Sequence, residues 1–144
     1  MSVNPLFELT MSGQSIWSDG IQRGLITSGE LTRLIDEYEI RGITTNPTIF
    51  EKAIDSSDDY SDQLREQAER QKNASEIYEA LAVRDIQMAA DLLAPVFEKT
   101  DGRDGFVSLE CSPLLAHDTA ATIEEVGHLW RVLNRKNVMI NVYP

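Results

Sequence analysis

Gly42-Ile43-Thr44-Thr45-Asn46-Pro47 is the stretch whose reading decides the architecture. Three β-branched residues in a row at 43–45 favour extended backbone. Asn46-Pro47 stops that strand, because proline has no N–H to give and keeps the residue before it out of the helical region. Apolar spacing then resumes at helical period over residues 48–54. The segment therefore reads as a short buried strand of about 4 residues followed directly by a helix, the repeating unit of α/β proteins.

The same alternation extends to both sides. Upstream, Leu31, Leu34, Ile35 and Tyr38 form an i, i+3, i+4, i+7 face, and Thr27-Ser28-Gly29-Glu30 predicts a capping box at its start. Residues 14–19 predict a first strand, broken by Asp19-Gly20, and Asn4-Pro5 opens a short helix over 6–9. Downstream, Ser56-Ser57-Asp58-Asp59 is a polar turn and residues 61–72 form a very polar, exposed helix. Asn73-Ala74-Ser75-Glu76 is a second capping box, leading a long helix with Ile77, Leu81, Met88, Leu92 and Val96 on one side and Pro95 bending or shortening its end. After the turn at 101–105, Phe106-Val107-Ser108-Leu109-Glu110 is a strand, Thr122 to Glu125 starts another capped helix, and residues 138–143 form a fourth strand. Trp17, Trp130 and Cys111 read as core residues, and His117-Asp118 as the start of a helix rather than a catalytic dyad.

Strand, helix, strand, helices, strand, helix, strand implies a parallel sheet with crossover helices. Open doubly wound sheets and (β/α)8 barrels both fit. A full barrel takes about 250 residues, so four strands in a single domain spanning 1–144 would be roughly half of one.

Composition bounds the function. Thirteen basic against 24 acidic residues leave a net charge of −11, which opposes binding to nucleic-acid phosphates or anionic membrane surfaces. No apolar run reaches the roughly 20 residues of a membrane helix, and the first residues lack the basic and apolar pattern of a signal peptide. One cysteine and two separated histidines make an internal disulfide or a structural zinc cluster unworkable, and a reducing cytoplasm is the expected setting.

In parallel α/β folds the functional groups gather at the C-terminal ends of the strands. The residues due there are Asp19, then Thr44, Thr45 and Asn46, then Glu110, then Asn141. Two carboxylates, two amides and two hydroxyls at one mouth suit a polyhydroxylated ligand, with the carboxylates available for proton transfer.

Three stretches together, residues 14–19, 42–50 and 105–110, resemble bacterial transaldolases of the longer type, including those fused to glucose-6-phosphate isomerase. Thr-Thr-Asn-Pro-Thr at 44–48 and Leu-Ala-His-Asp-Thr at 115–119 are the most specific parts. The resemblance implies a truncated (β/α)8 TIM barrel containing about the first four βα units. It also implies a transferase of the pentose phosphate pathway that moves a dihydroxyacetone unit between sugar phosphates, with no metal and no organic cofactor. By resemblance Asp19 is the acid/base on the hydroxyl beside the scissile bond, Glu110 moves protons through a water, and Thr44 and Asn46 hold hydroxyls of the dihydroxyacetone part.

The family's central residue is a Schiff-base lysine on the fourth strand, in the run Met-Ile-Lys-Val-Pro. This chain reads Met139-Ile140-Asn141-Val142-Tyr143-Pro144. An amide nitrogen, its lone pair delocalised into the carbonyl, cannot form an iminium. The expectation is therefore an inactive fragment. The alternatives are a noncatalytic sugar-phosphate-binding or interaction module, or half of a split enzyme, assembling as a homo-oligomer or with a complementing C-terminal half through exposed sheet edges.

Overall fold

The computed structural model describes residues 4–142. In chain order the elements are α1 (Pro5–Met11), β1 (Ile16–Asp19), α2 (Arg23–Thr27), α3 (Glu30–Tyr38), β2 (Ile40–Thr44), α4 (Pro47–Ser56), α5 (Ser61–Glu69), α6 (Ala74–Lys99), β3 (Phe106–Glu110), α7 (Thr119–Leu133) and β4 (Val138–Asn141). The four strands are all parallel and lie in the order β1-β2-β3-β4. Chain order equals spatial order, with none of the reversal that defines a doubly wound sheet. The result is a TIM-barrel-like unit with β1 and β4 as its edges.

Lateral partners in a sheet share a face, so the register sorts the side chains. Ile43, Val107 and Val138 lie side by side and are buried against the helices, as is Leu109. Helix α6 backs them with Leu81, Ile86, Ala89, Ala90 and Leu93, all at most 1% exposed. On the opposite, inner face the tiers are Trp17, Gly42 and Phe106, then Asp19, Thr44, Ser108 and Met139, then Glu110 and Asn141. The lowest tier requires a glycine: a Cβ at Gly42 would stand 2.4 Å from the Trp17 ring.

Local sequence accounts for most element ends. Asn4 caps α1, its Oδ1 accepting from Leu6 N, with Pro5 first in the helix. Asn73 and Glu76 form the expected capping box, at 3.0 and 2.9 Å. Asn73→Ala should therefore cost about 1 kcal/mol in a urea titration; an unchanged midpoint would show that the box contributes nothing.

Several expectations are corrected. The Thr27–Glu30 capping box does not form. An unforeseen turn of helix, α2, already contains Thr27, whose hydroxyl bonds back to Arg23 O. Gly29, at φ +81°, leads into α3, and Glu30 pairs with Arg33 instead. Helix α7 starts three residues earlier than Thr122: Asp118 is its cap, accepting from Ala121 N, and Glu125 accepts from Ser112 N. Helix α5 ends at Glu69 and is not simply an exposed helix, since Gln67 is buried and Leu64 packs on the core. Pro95 sits inside α6, which continues to Lys99. Strands β1, β2 and β4 begin or end a few residues from their expected limits, and Tyr143 and Pro144 lie outside the described residues. Cys111 is buried as expected, whereas Trp17 is half-buried and Trp130 is 51% exposed. Trp130 lies on α7, the helix nearest the β4 edge, where no further helix among the described residues flanks it.

Candidate functional site

The C-terminal end of β2 organises the candidate mouth. Thr44 pairs laterally with Asp19 of β1, and its hydroxyl donates to Asp19 Oδ1 at 2.6 Å. Its carbonyl also accepts from Gly20 N and Ile21 N at 3.0 and 3.2 Å, holding the loop behind Asp19. Thr45 turns the other way, toward β3. Its N–H donates to Ser108 O at 2.8 Å and its Oγ1 accepts from Glu110 N at 3.1 Å. Asn46 then caps α4: its Oδ1 accepts from Thr48 N and Ile49 N at 3.1 and 3.2 Å, with Pro47 first in the helix. The Asn46 side-chain oxygen is thus committed to the helix start, and its amide NH2 is the end suited to donate to a ligand hydroxyl.

Glu110 and Asn141 are lateral partners at the ends of β3 and β4. They line an open depression of about 500 Å³ together with Ile140 and Val142. On the helix side of Glu110 is a cavity of about 350 Å³ between α4, α6 and α7, walled by Pro47, Tyr78, Leu109 and Leu129 and rimmed by Glu51 and Glu125. Burial, and then the negative charges of Glu110 and Glu51, push the Tyr78 phenol above its ordinary value.

The five residues expected at the site, Asp19, Thr44, Asn46, Glu110 and Asn141, therefore all lie at one end of the sheet. Asp19 and Thr44 are in direct contact, Glu110 and Asn141 are neighbours, and Asn46 stands where β2 gives way to α4. The sequence placed the Thr45 hydroxyl at the mouth beside that of Thr44; the structure instead buries it and turns it toward β3, and Tyr78 was given no role. The Thr45 hydroxyl was signalled by a β-branched residue at a strand end immediately before Asn-Pro; Tyr78, on α6 between β2 and β3 in the chain, had no local signal.

The four lysines stand elsewhere. Lys52 is on α4, Lys72 pairs with Glu76 at the start of α6, and Lys99 ends α6. Lys136 precedes β4, at the opposite end of that strand from Asn141. His117 is exposed and Asp118 serves as a helix cap, so the two do not form a dyad. No group of three or more potential metal ligands occurs among the described residues, and no helix there is long and apolar enough to cross a membrane.

Comparison with known proteins gives this geometry its context. The profile of the transaldolase/fructose-6-phosphate aldolase family matches residues 16–142. A transaldolase of Acidothermus cellulolyticus is 48% identical over 139 residues, covering 96% of this chain and 37% of that protein. Transaldolases of Trichodesmium erythraeum and Thermobifida fusca are 43% and 44% identical over 142 and 139 residues. The chain spans little more than a third of the length of these relatives, about 37–38%. With the match running from the first residue of β1 past the end of β4, the chain belongs to the transaldolase/fructose-6-phosphate aldolase family.

Proposed function

We propose that these residues form the first half of a transaldolase-type mouth, one that binds the dihydroxyacetone part of a ketose phosphate but does not itself cleave a carbon–carbon bond. Asp19, held by the Thr44 hydroxyl, is the acid/base group for a substrate hydroxyl. Glu110 moves protons through a bound water, and Thr44 and Asn46 hold hydroxyls. The reading needs no metal and no organic cofactor, and assigns the protein to sugar-phosphate metabolism of the pentose phosphate type in the cytoplasm.

The observation that carries the proposal is the pairing of Asn141 with Glu110. At the position assigned to the family's amine stands an amide, and Lys52, Lys72, Lys99 and Lys136 all lie away from that strand end. Class I aldol chemistry begins with attack of an unprotonated amine on the ketone. Loss of water gives an iminium that accepts the electron pair of the breaking bond. Asn141 can donate hydrogen bonds to a ketone but cannot make that attack.

Borohydride reduction in the presence of fructose 6-phosphate tests this. Intact-mass spectrometry should show no covalent sugar on the natural chain, and Asn141→Lys should gain a reduced adduct at residue 141. An adduct on any lysine of the natural chain would sink the proposal.

A second reading, an interaction module, is favoured by the apolar surface beside β4. Met139, Val142 and Trp130 are 41%, 54% and 51% exposed on or next to that edge strand. An open parallel edge with apolar neighbours invites another chain. Light scattering that shows a defined oligomer, lost in Trp130→Glu, would support this reading; a monomer throughout would remove it.

A further inference from the structure

Asp19 and Glu110 stand on strands that do not touch, β1 and β3, with β2 between them. The end of β2 is the element that touches both strands and can couple the two carboxylates directly. Three consecutive residues there reach three different neighbours: Thr44 reaches β1, Thr45 reaches β3 and Asn46 reaches α4. Thr44 and Asn46 are already assigned to the mouth. Thr45, 6% exposed and turned into the protein, has no such role.

We propose that Thr45 is a positioning residue that holds Glu110 in place relative to Asp19. This rests on the reading that Asp19 and Glu110 serve one ligand.

The geometry gives the mechanism. In a parallel ladder the N–H of each alternate β3 residue seeks a carbonyl on β2. Beyond Thr44 the main chain leaves the sheet, because Asn46 adopts φ −128° and ψ 112° as the cap of α4. The next β2 carbonyl is thereby carried off, and Glu110 N–H would lose its partner at the point where its side chain must be aimed. Thr45 Oγ1 substitutes for that carbonyl at 3.1 Å, while Thr45 N–H grips Ser108 O at 2.8 Å. The two bonds bracket Leu109 and clamp the last turn of the pleat that carries Glu110. A buried N–H left without an acceptor is costly, so loss of Oγ1 should let the end of β3 move.

Thr45→Val keeps the shape and removes the acceptor, whereas Thr45→Ser keeps the acceptor. In the natural chain and in Thr45→Ser, three-bond NMR couplings across χ1 of Glu110 should report one rotamer. In Thr45→Val they should average, and Glu110 N–H should exchange about five- to tenfold faster, with the amides of Ile43 and Val107 unaffected. Fructose 6-phosphate affinity should fall about tenfold in Thr45→Val and recover in Thr45→Ser, as expected when one oriented hydrogen-bonding group is lost. If Thr45→Val does not fold, Thr45→Cys, whose sulfur is a weak acceptor, carries the same expectations.

Unchanged Glu110 couplings and exchange in the valine or cysteine protein would overturn the inference, leaving Thr45 an ordinary buried threonine. Averaged couplings in a protein that never binds the sugar phosphate would instead remove the proposed function and leave the clamp standing.

Discussion

Asp85→Ala should destabilise the fold by roughly 3–5 kcal/mol, the usual cost of removing one partner of a buried ion pair. Asp85 is fully buried on α6. Its Oδ1 accepts from Arg23 Nε at 2.7 Å and its Oδ2 accepts from the Tyr60 hydroxyl at 2.8 Å. Tyr60 OH in turn accepts from Arg23 N at 2.9 Å, and the guanidinium lies 4.6 Å from the Tyr60 ring centre. The network ties the start of α2 to the middle of α6. Alanine would leave the Arg23 charge, with a side chain only 12% exposed, unpaired in a nonpolar setting. Against a typical total stability of about 5–15 kcal/mol, that loss should be plain in a urea denaturation curve. The double change Arg23→Met with Asp85→Leu should cost clearly less than the sum of the two single changes, because no uncompensated charge remains. Additive losses would mean that the pair is not coupled.

The same group gives a pH signature. Burial raises the Asp85 carboxyl above its ordinary value, outweighing the pull of Arg23 and Tyr60 in the other direction. The folded state thus keeps a proton that the unfolded chain has released, and across that window stability falls as pH rises. The contribution is complete below the ordinary carboxylate range. Asp91, held low by its hydrogen bonds to Arg135, acts in the opposite sense: its contribution is present at neutral pH and lost on acidification. Comparing the natural chain with Asp85→Asn from neutral pH downward isolates the first effect. The stability difference between them should shift in favour of the natural chain as pH falls, and a flat difference would contradict the assignment.

Gly105→Ala should lose about 2–5 kcal/mol, or fail to fold, for a different reason. Gly105 has φ +84°, and a Cβ there would lie 2.3 Å from Phe97 N and 2.8 Å from Leu93 O. Both are main-chain atoms of α6 and cannot swing aside as a side chain could. The left-handed conformation costs about 1–2 kcal/mol for an L-residue, and forcing apart a packed contact about 1–3 kcal/mol more. Gly105 also donates to Arg41 O at 2.7 Å and accepts from Asn137 Nδ2 at 2.9 Å, so its backbone has little freedom to retreat. Gly102, at φ +73°, separates the two terms. Its Cβ would meet only the tip of the Phe97 ring at 3.4 Å. Gly102→Ala should therefore show the conformational term alone, about 1–2 kcal/mol. Equal losses at the two positions, measured by denaturation midpoint, would refute the close approach at Gly105.

The sequence by itself determined the succession of strands and main helices, the caps at Asn4 and Asn73, and the strand ends at which Asp19, Thr44, Asn46, Glu110 and Asn141 stand. These are local matters. Side-chain period, β-branching and the geometry of Asn-Pro act over a few residues, and the C-terminal end of a parallel strand is a fixed address once the strand is known. Tertiary structure alone decided the rest. His117-Asp118 also reads as a helix start, and Asp118 caps α7; but that α7 begins there and not at Thr122, and that α2 stands in front of Gly29, were settled by how the chain enters each helix. The order β1-β2-β3-β4 was one of two arrangements that alternation allows, and only strand pairing chooses between them. Thr45 became the acceptor for Glu110 because the backbone of β2 departs into α4 one residue later, and the Arg23–Tyr60–Asp85 network joins residues up to 62 positions apart. Such contacts depend on which surfaces meet in three dimensions, and no periodicity along the chain encodes them.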